Sequence, residues 1–332
     1  MAVPADGAKL QHFLVRIIGH WLQYVALRAV VLVATLVPQQ ALCRALERLA
    51  LVVMRLDPRH RCIVSDNLAI AFPEWAPERR AEVTARAFAN WGRLAGELAH
   101  VDKILAEPRS ESLLELDRRI DESLEAGRGL LILSGHTANF ELLARLASRP
   151  KRRILLFHRQ MSNDLVDRHL TRERARAGLG TLGRGASVRE AIRILARGGI
   201  IVAPMDQNQP PGRGIFVELF GRPASTSTFL ARLSMVSGAP VLPIFAVWEG
   251  QALLARIGDT IDAPRDVSDH SATARALTER YTREIEMAVR AYPEQWNWAH
   301  RRWKTRPPEE GLSAGITRTS VELNESEARS SG

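Results

Sequence analysis

Gly129-Leu130-Leu131-Ile132-Leu133-Ser134-Gly135-His136-Thr137-Ala138-Asn139-Phe140-Glu141 decides the fold class of this 332-residue chain. Leu130 to Ser134 is a short, continuous apolar run without alternation. Such a run marks a strand buried on both faces, as in a parallel sheet covered by helices. Gly127 stands at the end of an amphipathic stretch, Glu111 to Ala126, in the place of a helix-terminating glycine. Asn139 can cap a helix beginning just after it. The segment therefore reads helix, buried strand, polar turn, helix.

The pattern repeats downstream. Strands are expected at Arg153–Phe157, Ile200–Pro204 and Pro240–Val247, with Ala252–Ile257 returning as a hairpin. Helices are expected over Asp164–Ala177, Val188–Ala196, Thr226–Val236 and Thr273–Ala291. Alternation of this kind implies an α/β fold with a mixed central sheet flanked by helices. Residues 40–110 read as helical throughout, with Pro73 and Pro77 separating two helices. The expected organisation is a helical, membrane-associating region over 1–110, an α/β core over 111–308 and a polar, disordered tail over 309–332.

Residues 10–38 are densely apolar but interrupted by Arg16, His20 and Arg28. After Arg28 the apolar run ends at Val37, well short of the ~20 residues that span a bilayer. Arg28 inside hydrocarbon would cost ~2.5–3.5 kcal/mol. A helix lying in the interface, or tilted with its arginines snorkelling, fits better. A single span from Trp21 to Val37 is the alternative. No small-x-small cleavage site follows, so no cleaved signal peptide is expected.

The net charge is +9 and the isoelectric point near 10.4. This suits anionic partners: lipid headgroups, phosphorylated substrates or nucleic acid. The basic residues are dispersed rather than gathered in one arm, which argues against nucleic acid. Cys43 and Cys62 show neither metal-ligand spacing nor a disulfide framework, and no metal is expected.

Chemistry concentrates at the carboxyl ends of the strands, where ligand crevices of open α/β sheets lie. His136 follows the first strand, and Glu141 lies in the first turn of the next helix. A loop histidine can act as general base while a carboxylate holds its other nitrogen. Glu141 could equally be there for the helix dipole. Arg159 follows the second strand, where a cation suits a phosphate or an oxyanion. Asp206 opens the polar loop Asp206-Gln207-Asn208-Gln209-Pro210-Pro211-Gly212-Arg213-Gly214, either as a site residue or as the first residue of a turn. Gly178-Leu179-Gly180-Thr181-Leu182-Gly183 matches a dinucleotide fingerprint only in letters, because a helix precedes it and Leu179–Leu182 reads as strand. Trp296 to Lys304 interleaves aromatics and cations. It can stack bases, anchor at a membrane or pack as a C-terminal clasp, and the clasp is the favoured reading.

Over residues 10–306 these blocks resemble the lipid A late acyltransferase (lauroyl/myristoyl acyltransferase) family, within the lysophospholipid acyltransferase superfamily. Asp57-Pro58-Arg59-His60-Arg61 and Asn67 to Glu74 look like its N-terminal region. His136 to Glu141 looks like its His-x4-Asp/Glu motif, with Phe140 where tryptophan is usual. Arg159, Asp206-Gln207-Asn208, Phe216 to Ala224 with Thr226 and Thr228, and Tyr292 to Lys304 look like its later blocks.

The resemblance implies transfer of a fatty acyl chain from acyl carrier protein, or acyl-CoA, to a hydroxyl of a phosphorylated lipid A precursor. It places the reaction at the cytoplasmic face of a bacterial inner membrane, with no metal, no cofactor and no acyl-enzyme. His136 would be the base, Glu141 its orienter, and Arg159, Asn139, Asp206 and Gly214 substrate-binding or positioning residues. Gln207 and Asn208 stand where many members carry acidic residues, and Glu218 where proline or aspartate is commoner. These departures bear on the acceptor, which could instead be an ornithine lipid, a glycolipid or a lysophospholipid. A non-catalytic binder of anionic lipid is the reading from another class.

Overall fold

The computed structural model describes residues 7–125, 127–149, 152–158, 161–183 and 188–308. Five helices come first: α1 (Gly7–Thr35), α2 (Gln39–Leu56), α3 (Pro58–Ala71), α4 (Pro77–Ala99) and the short α5 (Val101–Ala106). The α/β part then runs α6 (Glu111–Leu124), β1 (Leu130–Ser134), α7 (Phe140–Ala147), β2 (Ile154–His158), α8 (Asp164–Arg176), β3 (Leu179–Gly183), α9 (Val188–Leu195) and β4 (Ile200–Pro204). A hairpin, β5 (Ile215–Leu219) and β6 (Arg222–Thr226), precedes α10 (Phe229–Ser237). The chain closes with β7 (Val241–Glu249), β8 (Ala252–Ile257), α11 (His270–Ala291) and a 3-10 turn at Pro293–Gln295. The expected tail lies outside the described residues.

The main sheet has the order β3-β2-β4-β1-β7-β8. All its pairings are parallel except β7 with β8, so the sheet is mixed as the sequence suggested. Every side chain of β1 is buried. Its residues alternate between two apolar layers. Leu131 and Leu133 face a core shared with α4, α9, α10 and α11, and Leu130 and Ile132 face one shared with α6 and α7. Burying each such side chain contributes about 1.5–3 kcal/mol. Period-two side-chain alternation inside two dry layers is why the run carries no polar letter. Gly129 enters β1 at φ +68°, and a Cβ there would meet the Leu195 and Gly199 carbonyls at 2.6 and 2.7 Å.

The helix expected from Thr226 begins at Phe229 instead. Thr226 belongs to β6 and pairs with Ile215 across the hairpin. The turn is Phe220-Gly221, with φ +53° and +69°, the left-handed pair that a two-residue hairpin demands. Phe220 tolerates this conformation because its ring is buried against Trp298 and Trp303 and its N–H donates to Glu286 Oε2 at 2.7 Å. Leu179–Gly183 is indeed a strand, paired with β2, and no dinucleotide turn forms there.

Helix α4 is held between α2 and the C-terminal segment. Helix α2 packs along α4 at Gly92 and Gly96; a Cβ on Gly92 would overlap the Leu46 carbonyl. Asn90 Nδ2 donates to Glu294 O at 2.7 Å, tying α4 to the C-terminal segment.

Candidate active site

β1 and β4 are neighbours, with Ser134 opposite Pro204. The chain leaving β1 enters α7 on one face of the sheet, while α10, reached from β4, packs on the other. A crevice opens where connections diverge in this way. His136 and Asp206 are the residues delivered to it.

The loop Gly135–Asn139 is held from two sides. Ala138 N donates to Gln295 O at 2.8 Å, and Asn297 N donates to His136 O at 3.0 Å, making a short antiparallel bridge at Thr137 and Trp296. Asn139, fully buried, caps α7 by accepting from Leu142 N at 3.1 Å, and its Nδ2 donates to Glu97 Oε2 at 3.0 Å. Glu97 in turn pairs with Arg93 at 3.0 Å. The loop needs these ties because Ala138 sits at φ +40°, a conformation that costs energy for any residue with a Cβ.

Asp206 is 3% exposed at its side chain and accepts three hydrogen bonds, each of 2.7 Å: from His136 Nδ1, His136 N and Trp296 Nε1. Burial alone would push this carboxyl up. The His136 charge and hydrogen bonds, with the Trp296 N–H, outweigh burial and hold it well below the usual carboxylate range. Burial likewise presses the His136 imidazole down, but the Asp206 charge and hydrogen bond carry it above its ordinary value. With Nδ1–H committed to Asp206, Nε2 is the nitrogen with a free lone pair. It accepts from Gln207 Nε2 at 3.2 Å. The imidazole is 24% exposed, reachable by a substrate hydroxyl.

Glu141 does not hold His136 in this arrangement, contrary to the sequence expectation. Its carboxylate takes Arg145 Nη2 at 2.7 Å and Arg174 at 2.7 and 3.1 Å. The Arg174 and Arg145 guanidiniums overcome burial and keep it lowered. A first-turn glutamate faces position i+4 of its own helix, and Arg145 occupies that position. Asp206 supplies the contact that was expected of Glu141. Gly214 packs tightly: a Cβ there would lie 2.8 Å from Thr226 O and 2.9 Å from the Gln209 Cβ. Arg159 lies outside the described residues.

Sequence reasoning missed Glu97, Gln295, the contact of Gln207 with His136 and the role of Trp296. It also missed Arg302, which is 1% exposed and donates to Ser225 O at 2.7 Å and Thr226 Oγ1 at 2.5 Å. Burial pushes Arg302 down to about 10, with Asp206 pulling the other way. The favoured reading of the tryptophan block as a clasp agrees with the structure: Trp296, Trp298 and Trp303 are all buried, packed around Phe220.

An apolar cleft of about 70 Å³ reaches His136 between α4 and the C-terminal segment, walled by Ala87, Trp91, Leu94, Phe140 and Trp248. Larger hollows lie among Arg118, Arg128 and Asp262, and among Arg256, Asp259 and Glu284; neither includes His136 or Asp206. Among the described residues, no group of three or more His, Cys, Asp or Glu side chains is placed to hold a metal ion.

The chain is similar to the lipid A biosynthesis lauroyltransferase of Escherichia coli (strain K12), at 26% identity over 87% of this chain and 93% of that protein. It is similar to the lipid A biosynthesis myristoyltransferase of the same organism, at 26% over 88% of each. A shorter match, 23% identical over 55% of this chain and 57% of the other, is to the phosphatidylinositol mannoside acyltransferase of Mycobacterium tuberculosis (strain ATCC 25618 / H37Rv). The model of the bacterial lipid A biosynthesis acyltransferase family matches residues 9–305. With a histidine held by a buried aspartate at the mouth of an apolar cleft and a family match over nearly its whole length, this chain belongs to the bacterial lipid A biosynthesis acyltransferase family and is an acyltransferase.

Proposed function

We propose that the protein transfers a fatty acyl chain from an acyl thioester, on acyl carrier protein or coenzyme A, to a hydroxyl of a phosphorylated lipid A precursor. The observation that carries this reading is the hydrogen bond from His136 Nδ1 to Asp206, which leaves Nε2 as the proton acceptor beside an apolar cleft.

The acceptor hydroxyl displaces Gln207 from Nε2 and gives its proton to the imidazole. Its oxygen bonds to the thioester carbonyl carbon, and the carbonyl oxygen takes the electron pair. Collapse of that intermediate breaks the C–S bond, and the imidazolium returns its proton to the departing thiolate. Asp206 fixes the tautomer and stabilises the imidazolium without itself taking the proton. Gln207, freed from Nε2, donates to the oxyanion. The cleft between α4 and Phe140 takes the first carbons of the acyl chain. Glu141 acts indirectly, holding α7 and α8 together through Arg145 and Arg174. Arg159 contacts an acceptor phosphate or the oxyanion.

The expected site of action is the cytoplasmic face of a bacterial inner membrane. Ile18–Thr35 of α1 is, by length and composition, long and apolar enough to cross a membrane, which the shorter run after Arg28 did not lead the sequence reading to favour, and the chain's surplus of arginine suits anionic headgroups.

A second acceptor class is favoured by one particular. The mycobacterial relative is named for a mannosylated phosphatidylinositol, and this chain carries neutral Gln207 and Asn208 beside the base. A glycolipid hydroxyl then replaces that of lipid A. Incubating the purified protein with labelled acyl carrier protein thioester and a panel of acceptors separates the two. Acylated lipid A precursor supports the first reading, transfer only to another glycolipid supports the second, and no thioester consumption with any acceptor sinks both.

A further inference from the structure

The segment 296–305 grips the loop that follows β4. Trp296 Nε1 holds Asp206 at 2.7 Å. Asn208 exchanges two hydrogen bonds with Thr305: its Nδ2 donates to Thr305 Oγ1 at 3.0 Å, and its Oδ1 accepts from the Thr305 N–H at 3.2 Å. Thr305 Oγ1 donates in turn to Gln209 O at 2.8 Å. The Gln209 N–H and Arg302 Nη1 meet on one acceptor, Ser225 O, at 3.1 and 2.7 Å.

Between these ties stands a second histidine. The main-chain N–H of Asn208 donates to His300 Nε2 at 2.8 Å. An amide N–H can only donate, so Nε2 carries the lone pair and the ring is neutral, with its proton on Nδ1. The surroundings suit that form. Burial lowers the imidazole below its ordinary value against the pull of the Asp206 carboxylate, and the Arg302 and His136 charges add to the lowering. The main chain at His300 is fixed from behind. Buried Asn67, on α3, donates through Nδ2 to Trp298 O at 2.7 Å and to His300 O at 2.8 Å.

What His300 holds is the peptide between Gln207 and Asn208. That unit is planar, so anchoring its N–H sets the ψ torsion of Gln207. On the other side Asp206 is fixed by its three hydrogen bonds. Gln207 is braced fore and aft, with its side-chain nitrogen 3.2 Å from His136 Nε2. A donor aimed at an oxyanion works only if it is held there in advance, and a misplacement of about 1 Å can cost about 10²-fold.

We propose that His300 is a positioning residue for acyl transfer: without meeting the substrate it accepts from the Gln207–Asn208 peptide and so aims the Gln207 side-chain amide at the oxyanion. This rests on the reading of Gln207 as the oxyanion donor. Asn208, its amide taken up by Thr305, belongs to the same brace.

The test is a double-mutant cycle in the full chain, with labelled lauroyl–acyl carrier protein and a phosphorylated lipid A precursor as probes. Gln207→Ala should lower turnover by about 10²-fold. His300→Phe keeps the ring's shape without the acceptor. Its turnover should fall about tenfold or more while KM for the thioester stays within about twofold of wild type. His300→Gln, whose Oε1 can stand where Nε2 stood, should stay within about threefold of wild type. Gln207→Ala/His300→Phe should be no slower than Gln207→Ala alone, within about twofold, because His300 acts only through Gln207. Native turnover in His300→Phe, a rise in KM alone, or losses that multiply in the double variant overturns the role of His300, and a slow Gln207→Ala then still supports the oxyanion reading. Gln207→Ala at the native rate, or wild type that transfers no acyl chain, overturns that reading and the role of His300 with it. Circular dichroism checks folding. If His300→Phe does not fold, His300→Asn, whose side chain stops short of the Asn208 N–H, takes its place with the same expected losses.

Discussion

The Nδ1 atom of His136 lies 2.7 Å from Oδ1 of Asp206, a residue 70 positions later in the chain. The same carboxylate accepts the His136 main-chain N–H and the Trp296 indole N–H. One buried group thus sets the imidazole's tautomer, the loop that carries it and the seat of the C-terminal segment.

Asp206→Asn keeps the shape but removes the charge and can present the wrong hydrogen-bonding face to Nδ1. The turnover number should fall by about 10³–10⁴-fold, the scale of a lost tautomer control. Glu141→Gln should cost less in turnover and more in thermal stability, because its partners are Arg145 and Arg174. Steady-state rates and melting curves of the two variants check this. Equal losses of turnover with native melting would return the orienting role to Glu141.

The pH dependence follows from the two shifts. A general base must be neutral, and His136 is raised, so kcat/KM should climb with pH through an apparent pKa above about 6.5. Lowering that pKa by removing the Asp206 charge should move the rising limb of the profile to lower pH in Asp206→Asn. For stability the signs oppose. The His136 contribution is complete below its unfolded value and lost as pH rises through the raised one. The Asp206 contribution is complete above its unfolded value, near 3.8, and lost as pH falls through the lowered one. Urea melts should show the wild type gaining stability relative to Asp206→Asn as pH falls through the raised His136 value, and losing it relative to that variant only below about pH 3.8.

Asn139→Ala should destabilise the protein by about 1–3 kcal/mol. It removes the cap of α7 and leaves Glu97 Oε2 buried without its donor. Chemical denaturation measures the loss; a change within about 0.5 kcal/mol would mean that the cap is redundant.

Gly92→Val places a branched side chain into the Leu46 carbonyl where α2 crosses α4. Overpacking of this kind costs about 1–3 kcal/mol, more where backbone must move. Because Trp91 and Leu94 on the same helix wall the cleft, the Michaelis constant for the acyl donor should rise together with the drop in melting temperature.

Much of the fold was readable in the letters because burial on both faces leaves a plain signature. Leu130 to Ser134 and Ile200 to Pro204 each fill two apolar layers, so each appears as an unbroken run. The β5–β6 hairpin was not readable. Its turn is Phe220-Gly221, not a favoured pair such as Asn-Gly, and what holds Phe220 at positive φ is a tryptophan cage built from distant residues. The site divided along the same line. His136 and Asp206 could each be placed at a strand's carboxyl end. Their pairing could not, because it depends on β4 returning to lie between β1 and β2, which no local pattern encodes. Glu141 attracted the orienting role by proximity along the chain, while the arginines that engage it lie one turn on and on another helix.

The most direct measurement is single-turnover acyl transfer by purified His136→Ala protein, with folding verified by circular dichroism, against wild type and the same thioester and acceptor. A fall of about 10²-fold or more is the expected result, since the substitution removes the only base at the cleft mouth among the described residues. Transfer at the native rate would contradict the assignment of His136 as the group that takes the acceptor's proton.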